Sequence, residues 1–299
     1  IGAVTAICSP RLPTDKECGI KRVDYEDFYC NGIPVHVVGY NNRSLLGFQH
    51  RRHNFVSFCR KWAETVHVDK LIILVYSLNS TMLKAALDIK KRTKNSVICI
   101  VVADLPEFMS SYRGLKLIAK RFDMHVIEKL RSQADKYVLY AASMADYLGL
   151  RKDQWIVVEG FIDADKVVSK KKFLQDRRKK LCVYGGSLSP QYGIQKMIDA
   201  FVNVFDCELR IYGNQKDSKK YVYNDNAKYC GQVDPDEMFS IFCQSDFLIN
   251  PRPSNLELTN YSFPSKTFEY MASCTPVVMA KLPGVTEVFF KYLNIFDDE

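Results

Sequence analysis

Short apolar runs of strand length alternate with helix-period segments along most of this chain, and no other feature restricts its fold as much. The runs are VHVVGY (35–40), LIILVYS (71–77), SVICIVVA (96–103), YVLYA (137–141) and WIVVE (155–159), then LCVYG (181–185), ELRIYG (208–213), DFLIN (246–250) and PVVMA (276–280). Continuous Val/Ile-rich runs suit a parallel sheet covered on both faces. Between them, Phe55, Phe58, Trp62 and Val66 recur at three- or four-residue spacing in 45–67. Met82, Leu83, Ala86 and Leu87 make a second apolar face in 79–92. Such alternation predicts doubly wound α/β architecture. A length of 299 residues predicts two domains, each able to bury its own core.

Composition narrows the class. Hydrophobic residues make up 47% and charged residues 25%, as in ordinary globular proteins. The apolar runs fall far short of the ~20 residues that span a bilayer. No charged-then-apolar leader opens the sequence, so the expected location is cytoplasmic. The formal net charge is +8, but 166–180 (KVVSKKKFLQDRRKK) alone carries +7. That distribution argues against nucleic acid as a partner. A basic run is ordinarily a solvated linker or helix face. Its functional alternative is peripheral contact with an anionic membrane at the inner face. The segment 162–180 is the expected linker, between an amino-terminal domain (1–161) and a carboxyl-terminal domain (181–299). Both ends read as cut, the second domain lacking a closing helix.

Ten scattered cysteines contain no CxxC pair and no Cys/His cluster, so no metal site is expected. Cys99 and Cys182 lie in apolar runs and read as small buried hydrophobes. Asn42, Asn79 and Asn260 open Asn-x-Ser/Thr triplets, read as chance matches. Asp234-Pro235-Asp236-Glu237 reads as a capped helix start rather than a metal pair. His50 and His53 flank two arginines in the helix-period segment 45–67, favouring a solvated face over acceptor binding. Five dispersed histidines give no hydrolytic triad.

The chemistry concentrates in 246–280, which reads strand, irregular loop, helix, strand. In an open parallel sheet, ligands bind beyond the carboxyl ends of strands, where helix amino termini offer N–H groups to anions. Pro264 suits a first helical turn, and Ser262 is the candidate cap. The Ser265 and Lys266 amides, with the Lys266 ammonium, would then face a diphosphate. Glu269 shares their helical face, where a carboxylate can accept two bonds from a sugar diol.

SFPSKTFEYMASCTPVV is similar to the nucleotide-sugar signature of GT-B glycosyltransferases, particularly retaining family 4 (glycosyl transferases group 1). Bacterial exopolysaccharide and capsule enzymes with a Pro-Ser-Lys turn look closest. VADLPEFM, VLYAASMADYL, IVVEGFID, LCVYGGSLSPQYGIQKMIDAF, LRIYG, YCGQV and LINPR follow in the expected order. The resemblance covers about 70–299. It implies two Rossmann-like doubly wound domains facing across a cleft. Gly185, Gly186 and Ser187 would form the turn at the donor phosphates, and Gly213 would let the base approach. Val233 would lie near the base edge, with Ser262, Ser265 and Lys266 at the diphosphate and Glu269 on the ribose. Asp104 would face the donor sugar.

Some positions depart from the family pattern. Tyr261 stands where the paired-glutamate motif has its first glutamate, and Ser187 and Tyr192 replace the usual Arg and Lys. Cys274 replaces a small residue at the end of the helix. Arg252 and Lys266 are therefore the candidates to neutralise the leaving diphosphate. The expected function is metal-independent transfer of a sugar, with retention, to a glycan or lipid-linked acceptor in polysaccharide biosynthesis. The donor would be a nucleotide sugar, expected to be a UDP-sugar, with no other cofactor. The alternatives are a sugar-nucleotide epimerase and a non-catalytic relative in a homo- or hetero-oligomer.

Overall fold

A computed structural model describes residues 2–10, 12, 18–42, 47–108, 114–168 and 178–296. Most of the basic run, 169–177, lies outside the described residues, so the linker and membrane-contact expectations are not addressed there. The chain divides into two compact units: 1–138 with 152–156, and 139–151 with 157–299.

The first unit opens with strands β1 (Ala6–Cys8), β2 (Arg22–Val23), β3 (Glu26–Cys30), β4 (Ile33–Val37) and β5 (Tyr40–Asn41). β3 and β4 form an antiparallel hairpin, β1 lies parallel to β4, and β2 pairs antiparallel with β5. Asn31 and Gly32 turn the hairpin with positive φ, an Asn-Gly signal for this geometry. Helix α1 (Gly47–Thr65) leads to β6 (Leu71–Tyr76), followed by α2 (Ser80–Lys90), β7 (Ser96–Val102), α3 (Leu115–Arg131), β8 (Lys136–Leu139) and β9 (Trp155–Val157), while α4 (Ser143–Tyr147), between the last two in sequence, belongs to the second unit. Strands β6, β7, β8 and β9 are neighbours in that order. Asn79 caps α2, its side chain accepting from the Thr81 and Met82 amides. That bond explains the first residue of one Asn-x-Ser/Thr triplet.

A core of Val38, Phe55, Val56, Cys59, Ala63, Ala85 and Ile89 joins α1 and α2 to the strands, with Ile73 against it. Asp88, 5% exposed in its side chain, accepts from Arg60 of α1 and from Lys84. The expected double coverage fails at β6. Ile72, Leu74 and Tyr76 are more than half exposed among the described residues, while Val75 on the opposite face is buried. Cys99, opposite Leu74, is correspondingly only half-buried, against expectation.

The second unit follows the expectation more closely. Its strands are β10 (Lys180–Gly185), β11 (Cys207–Tyr212), β12 (Ala227–Gly231), β13 (Phe247–Asn250), β14 (Val277–Ala280) and β15 (Asn294–Phe296). All pair in parallel, in the order β12-β11-β10-β13-β14-β15. Helices α5 (Ile194–Ala200), α6 (Gln215–Ser218), α7 (Pro235–Cys243), α8 (Glu257–Asn260) and α9 (Lys266–Ala272) intervene. Residues 181–185 of β10 are all buried, as a strand covered on both faces requires. One cluster holds Val183, Phe242, Leu248, Tyr270 and Met279, and another Tyr184, Leu188, Ile194, Ile198 and Ile211. Asp234 caps α7 as expected, accepting from the Asp236 and Glu237 amides. Cys8, Cys30, Cys59, Cys99, Cys182, Cys207, Cys230 and Cys274 are free thiols. No helix among the described residues is long and apolar enough to cross a membrane.

Two outcomes follow from these contacts. Tyr270→Phe removes a buried hydroxyl that bonds both backbone groups of Gly185. It should lower unfolding free energy by about 1–3 kcal/mol, because those groups are left unpaired, as read by urea denaturation. Burial raises the Asp88 pKa, but the bonds from Lys84 and Arg60 outweigh it and hold the carboxylate below its ordinary range. A carboxylate with a lowered folded pKa stabilises fully above its unfolded pKa of about 3.9, and that contribution is lost as pH falls through the folded value. Wild type should therefore lose more stability than Asp88→Asn when denaturation is followed downward through that window.

Candidate functional site

The strand order creates the site. From β10 the chain adds β11 and β12 on one side, then returns to add β13, β14 and β15 on the other. The switch point thus lies between the carboxyl ends of β10 and β13, where open α/β sheets bind their ligands. Gly185 ends β10, and Pro251-Arg252 follows β13.

Helix α9 is held at this point by its own side chains. The Tyr270 hydroxyl, fully buried, bonds the Gly185 amide at 3.1 Å and its carbonyl at 3.2 Å. Burial raises the Tyr270 pKa, with the Gly185 bond opposing it, so the hydroxyl stays protonated and can serve both groups. The Asn250 side-chain amide reaches Thr267, itself completely buried, at 3.4 Å. Two strand ends thereby fix the helix that carries Lys266 and Glu269.

The glycines have packing reasons that sequence reading missed. A Cβ on Gly185 would lie 2.8 Å from the Met238 sulfur and 2.9 Å from the Phe242 ring. At Gly213 it would meet the Gly186 carbonyl at 2.6 Å, so these two turns touch backbone to backbone. Gly193, at φ +76°, would meet the Pro251 carbonyl at 2.4 Å. Gly284 would meet the Ser262 and Thr259 carbonyls at 2.5 and 2.6 Å. Pro-Gly at 283–284 was the available signal for the last of these, and Gly193 carried none.

The Gly193–Pro251 contact brings Tyr192 under Arg252. The guanidinium carbon lies 4.6 Å from the Tyr192 ring centroid, a cation–π arrangement. Arg252 also donates to the Ser262 hydroxyl at 3.0 Å. Ser262 in turn donates to the Leu258 carbonyl at 3.0 Å. This corrects the expectation that Ser262 caps α9. Its hydroxyl is engaged by the preceding turn and by Arg252, and Ser265 precedes the helix without a side-chain cap. The opening turn closes instead through the Thr267 and Phe268 amides onto the Pro264 and Ser265 carbonyls.

Lys266 and Glu269 do share a face, and they bond each other at 2.7 Å, both side chains roughly two-fifths exposed. Exposed pairs are worth only about 0.2–1 kcal/mol, so a charged ligand can separate them. Tyr261 lies 4.9 Å from the Tyr147 ring, and the Ser143 hydroxyl donates to the neighbouring Asn260 carbonyl. Val233 packs half-buried against the core beyond β12. Ser187 lends its carbonyl to the Tyr184 hydroxyl at 2.6 Å. Cys274 adopts φ +57°, a conformation that suits the small residue of the family pattern. Asp104, half-buried after β7, belongs to the first unit, whereas every other candidate lies in the second.

No curated protein sequence matches the chain. Solved structures match its fold at low identity. Sucrose-phosphate synthase from Thermosynechococcus elongatus has a TM-score of 0.64 at 14% identity, covering 94% of this chain and 71% of that one. HepE from Anabaena, in complex with UDP and glucose, has 0.56 at 15%, covering 85% and 69%. The lipopolysaccharide outer core galactosyltransferase WaaB has 0.55 at 14%, covering 87% and 68%. Residues 179–291 match the family model described as Glycosyl transferases group 1. The chain thus has the GT-B fold, and residues 179–291 of its second unit are similar to the Glycosyl transferases group 1 family.

Proposed function

We propose that the protein transfers a sugar from a nucleoside-diphosphate donor, a UDP-sugar, to a hydroxyl of a glycan or lipid-linked acceptor. The observations behind this reading are Arg252, which follows β13 and is held by Ser262 and Tyr192, and the helix bearing Lys266 and Glu269, which Tyr270 and Thr267 tie to the ends of β10 and β13. The group 1 domain match and the UDP held by the Anabaena neighbour support the same donor class.

In this reaction the acceptor oxygen attacks the anomeric carbon as the bond to the donor phosphate breaks. The acceptor proton passes to the departing phosphate oxygen, with retention. Charge accumulates on the leaving diphosphate, and pre-placed cations stabilise it most when water is excluded. Arg252 supplies a planar fork that is oriented by Ser262 and by the Tyr192 face. Lys266 supplies a second charge once it leaves Glu269, freeing that carboxylate for the ribose diol. Tyr192 thus answers its own departure from the family pattern, since it holds a cation instead of providing one. These groups make the reaction independent of a metal. Asp104 takes the donor-sugar role on resemblance alone, and a place in polysaccharide biosynthesis rests on the same ground.

Tyr261 favours one second reading, a non-catalytic relative that binds nucleotide without turnover. Packed at a tilt against the Tyr147 ring, it stands in the sequence place of the first motif glutamate.

Calorimetric titration with UDP tests the donor site. Arg252→Ala and Lys266→Ala should each weaken binding by roughly tenfold or more, the value of a charge-assisted hydrogen bond. Glu269→Ala should weaken it through the ribose. Unchanged affinity in Lys266→Ala and Glu269→Ala would sink the assignment. Tyr192→Ala should cost roughly twofold to fivefold or more, as a cation–π contact is worth about 0.5–1 kcal/mol even at exposed sites, and Tyr192→Phe should retain affinity. UDP binding without release of UDP from any UDP-sugar, across a broad acceptor panel, would select the non-catalytic reading.

A further inference from the structure

The first unit contains a pocket of about 550 Å³ that none of the donor chemistry uses. One wall is helix α1, where His53, Ser57 and Lys61 follow at four-residue spacing and so share a stripe. The facing wall is built from β2, β5 and the segment between β4 and β5. The walls are joined rigidly. A Cβ on Gly39 would fall 2.6 Å from the Val23 carbonyl and 2.7 Å from the Tyr25 amide, so the two backbone segments touch. The Asn54 side chain donates to the Gly39 carbonyl at 2.9 Å and ties the helix to the same point.

The lining has one sign of charge. Lys61 and Arg22 are cations, Arg22 being paired at 2.7 Å with Asp24 outside the lining, His53 adds ring nitrogens, and among the described residues no carboxylate lines the pocket. Its other character is aromatic. Tyr25 is half-exposed, and its ring packs 5.6 Å from Phe58 at an interplanar angle of 44°. The Tyr25 hydroxyl donates to Asp27 at 2.7 Å, and Asp27 also bonds His36 at 2.6 Å, so the ring is fixed from outside the pocket. Asn41 and Ser57 add neutral hydrogen-bonding groups. Ligand pockets span roughly 300–1,000 Å³ and combine aromatic walls with a few polar groups that set orientation.

We propose that this pocket is a binding site for an anionic saccharide, a sugar carrying a carboxylate or phosphate. A ring stacks on the Tyr25–Phe58 wall while its acid group meets Lys61 and Arg22. Aromatic faces suit the apolar C–H side of a sugar, and the hydroxyls around its rim need the neutral donors and acceptors present. A bare nucleic-acid backbone or a membrane would use the cations but not the recessed aromatic wall. The site stands wholly in the first unit and does not depend on the donor reading.

Direct binding to the full chain is the test, with tetragalacturonate, glucose 6-phosphate and neutral maltotetraose as probes. An acidic probe should bind at least roughly tenfold more tightly than the neutral one, as one charge-assisted hydrogen bond provides. The better acidic probe identifies the acid as uronate or phosphate. Lys61→Ala and Tyr25→Ala should each weaken acidic binding by roughly fivefold or more, consistent with loss of one ionic or one stacking contact. Tyr25→Phe should keep it, and so should Lys152→Ala, which removes a cation outside the pocket. Thermal unfolding of each variant identifies any loss that comes from misfolding, and Tyr25→Phe with Lys61→Ala then decides. Equal affinity for acidic and neutral probes, or no binding at millimolar concentration, would overturn the proposal. So would loss in Lys152→Ala equal to that in Lys61→Ala, which marks unspecific charge attraction. UDP titration is read separately, so failure of the donor site leaves this result intact.

Discussion

The buried Tyr270 hydroxyl is the contact on which the geometry of the candidate site rests. It bonds both the amide and the carbonyl of Gly185, at the carboxyl end of the central strand of its sheet. A helix as short as 266–272 has little stability of its own, because nucleating a helix is unfavourable and packing must supply the remainder. Tyr270 supplies it by edge packing on Phe242 at 4.8 Å and by closing the strand's last backbone groups. Phe263 stacks on Phe268 at 4.5 Å, and Phe289 meets both rings, completing the seat. Lys266 and Glu269 are therefore carried on a helix whose register is fixed from beneath.

The same packing changes the meaning of the glycines. A Gly-Gly turn after a strand suggests a phosphate cradle. Gly185, however, is required by Met238 and Phe242, and Gly213 by the Gly186 carbonyl. Both demands coexist with ligand binding, since a turn that packs closely also leaves its open side bare. Gly193 works at longer range. Its fit against Pro251 sets Tyr192 beneath Arg252, so a steric requirement far back in the chain, after β10, positions the guanidinium that follows β13.

Much of the second unit was legible in the sequence. LCVYG is buried at every residue, and the Pro235 helix begins on its Asp234 cap as local chemistry dictates. In the first unit the periodic helices 47–65 and 80–90 were legible, whereas the hairpin at 26–37 was not, because its strand β3 is exposed along its length. An exposed strand leaves no apolar alternation to read. LIILVYS misled in the opposite sense, since apolar composition shows that a strand is suited to burial but not which faces are covered. Ser262 misled too, because a hydroxyl before a Pro-started helix matches a cap in sequence while its partner is chosen in space.

The sequence by itself determined the strand–helix alternation, the capped helix starts and the single helical face shared by Lys266 and Glu269. Those follow from local propensity and from the fixed 3.6-residue period. Only the tertiary structure decided that β10 and β13 would be neighbours, which creates the switch point between them. It alone placed Arg252 over Tyr192, 60 residues earlier, and gathered Arg22, Tyr25, Phe58 and Lys61 around one pocket. Strand order and long-range pairing depend on which apolar faces bury one another, and no local rule of sequence encodes that choice.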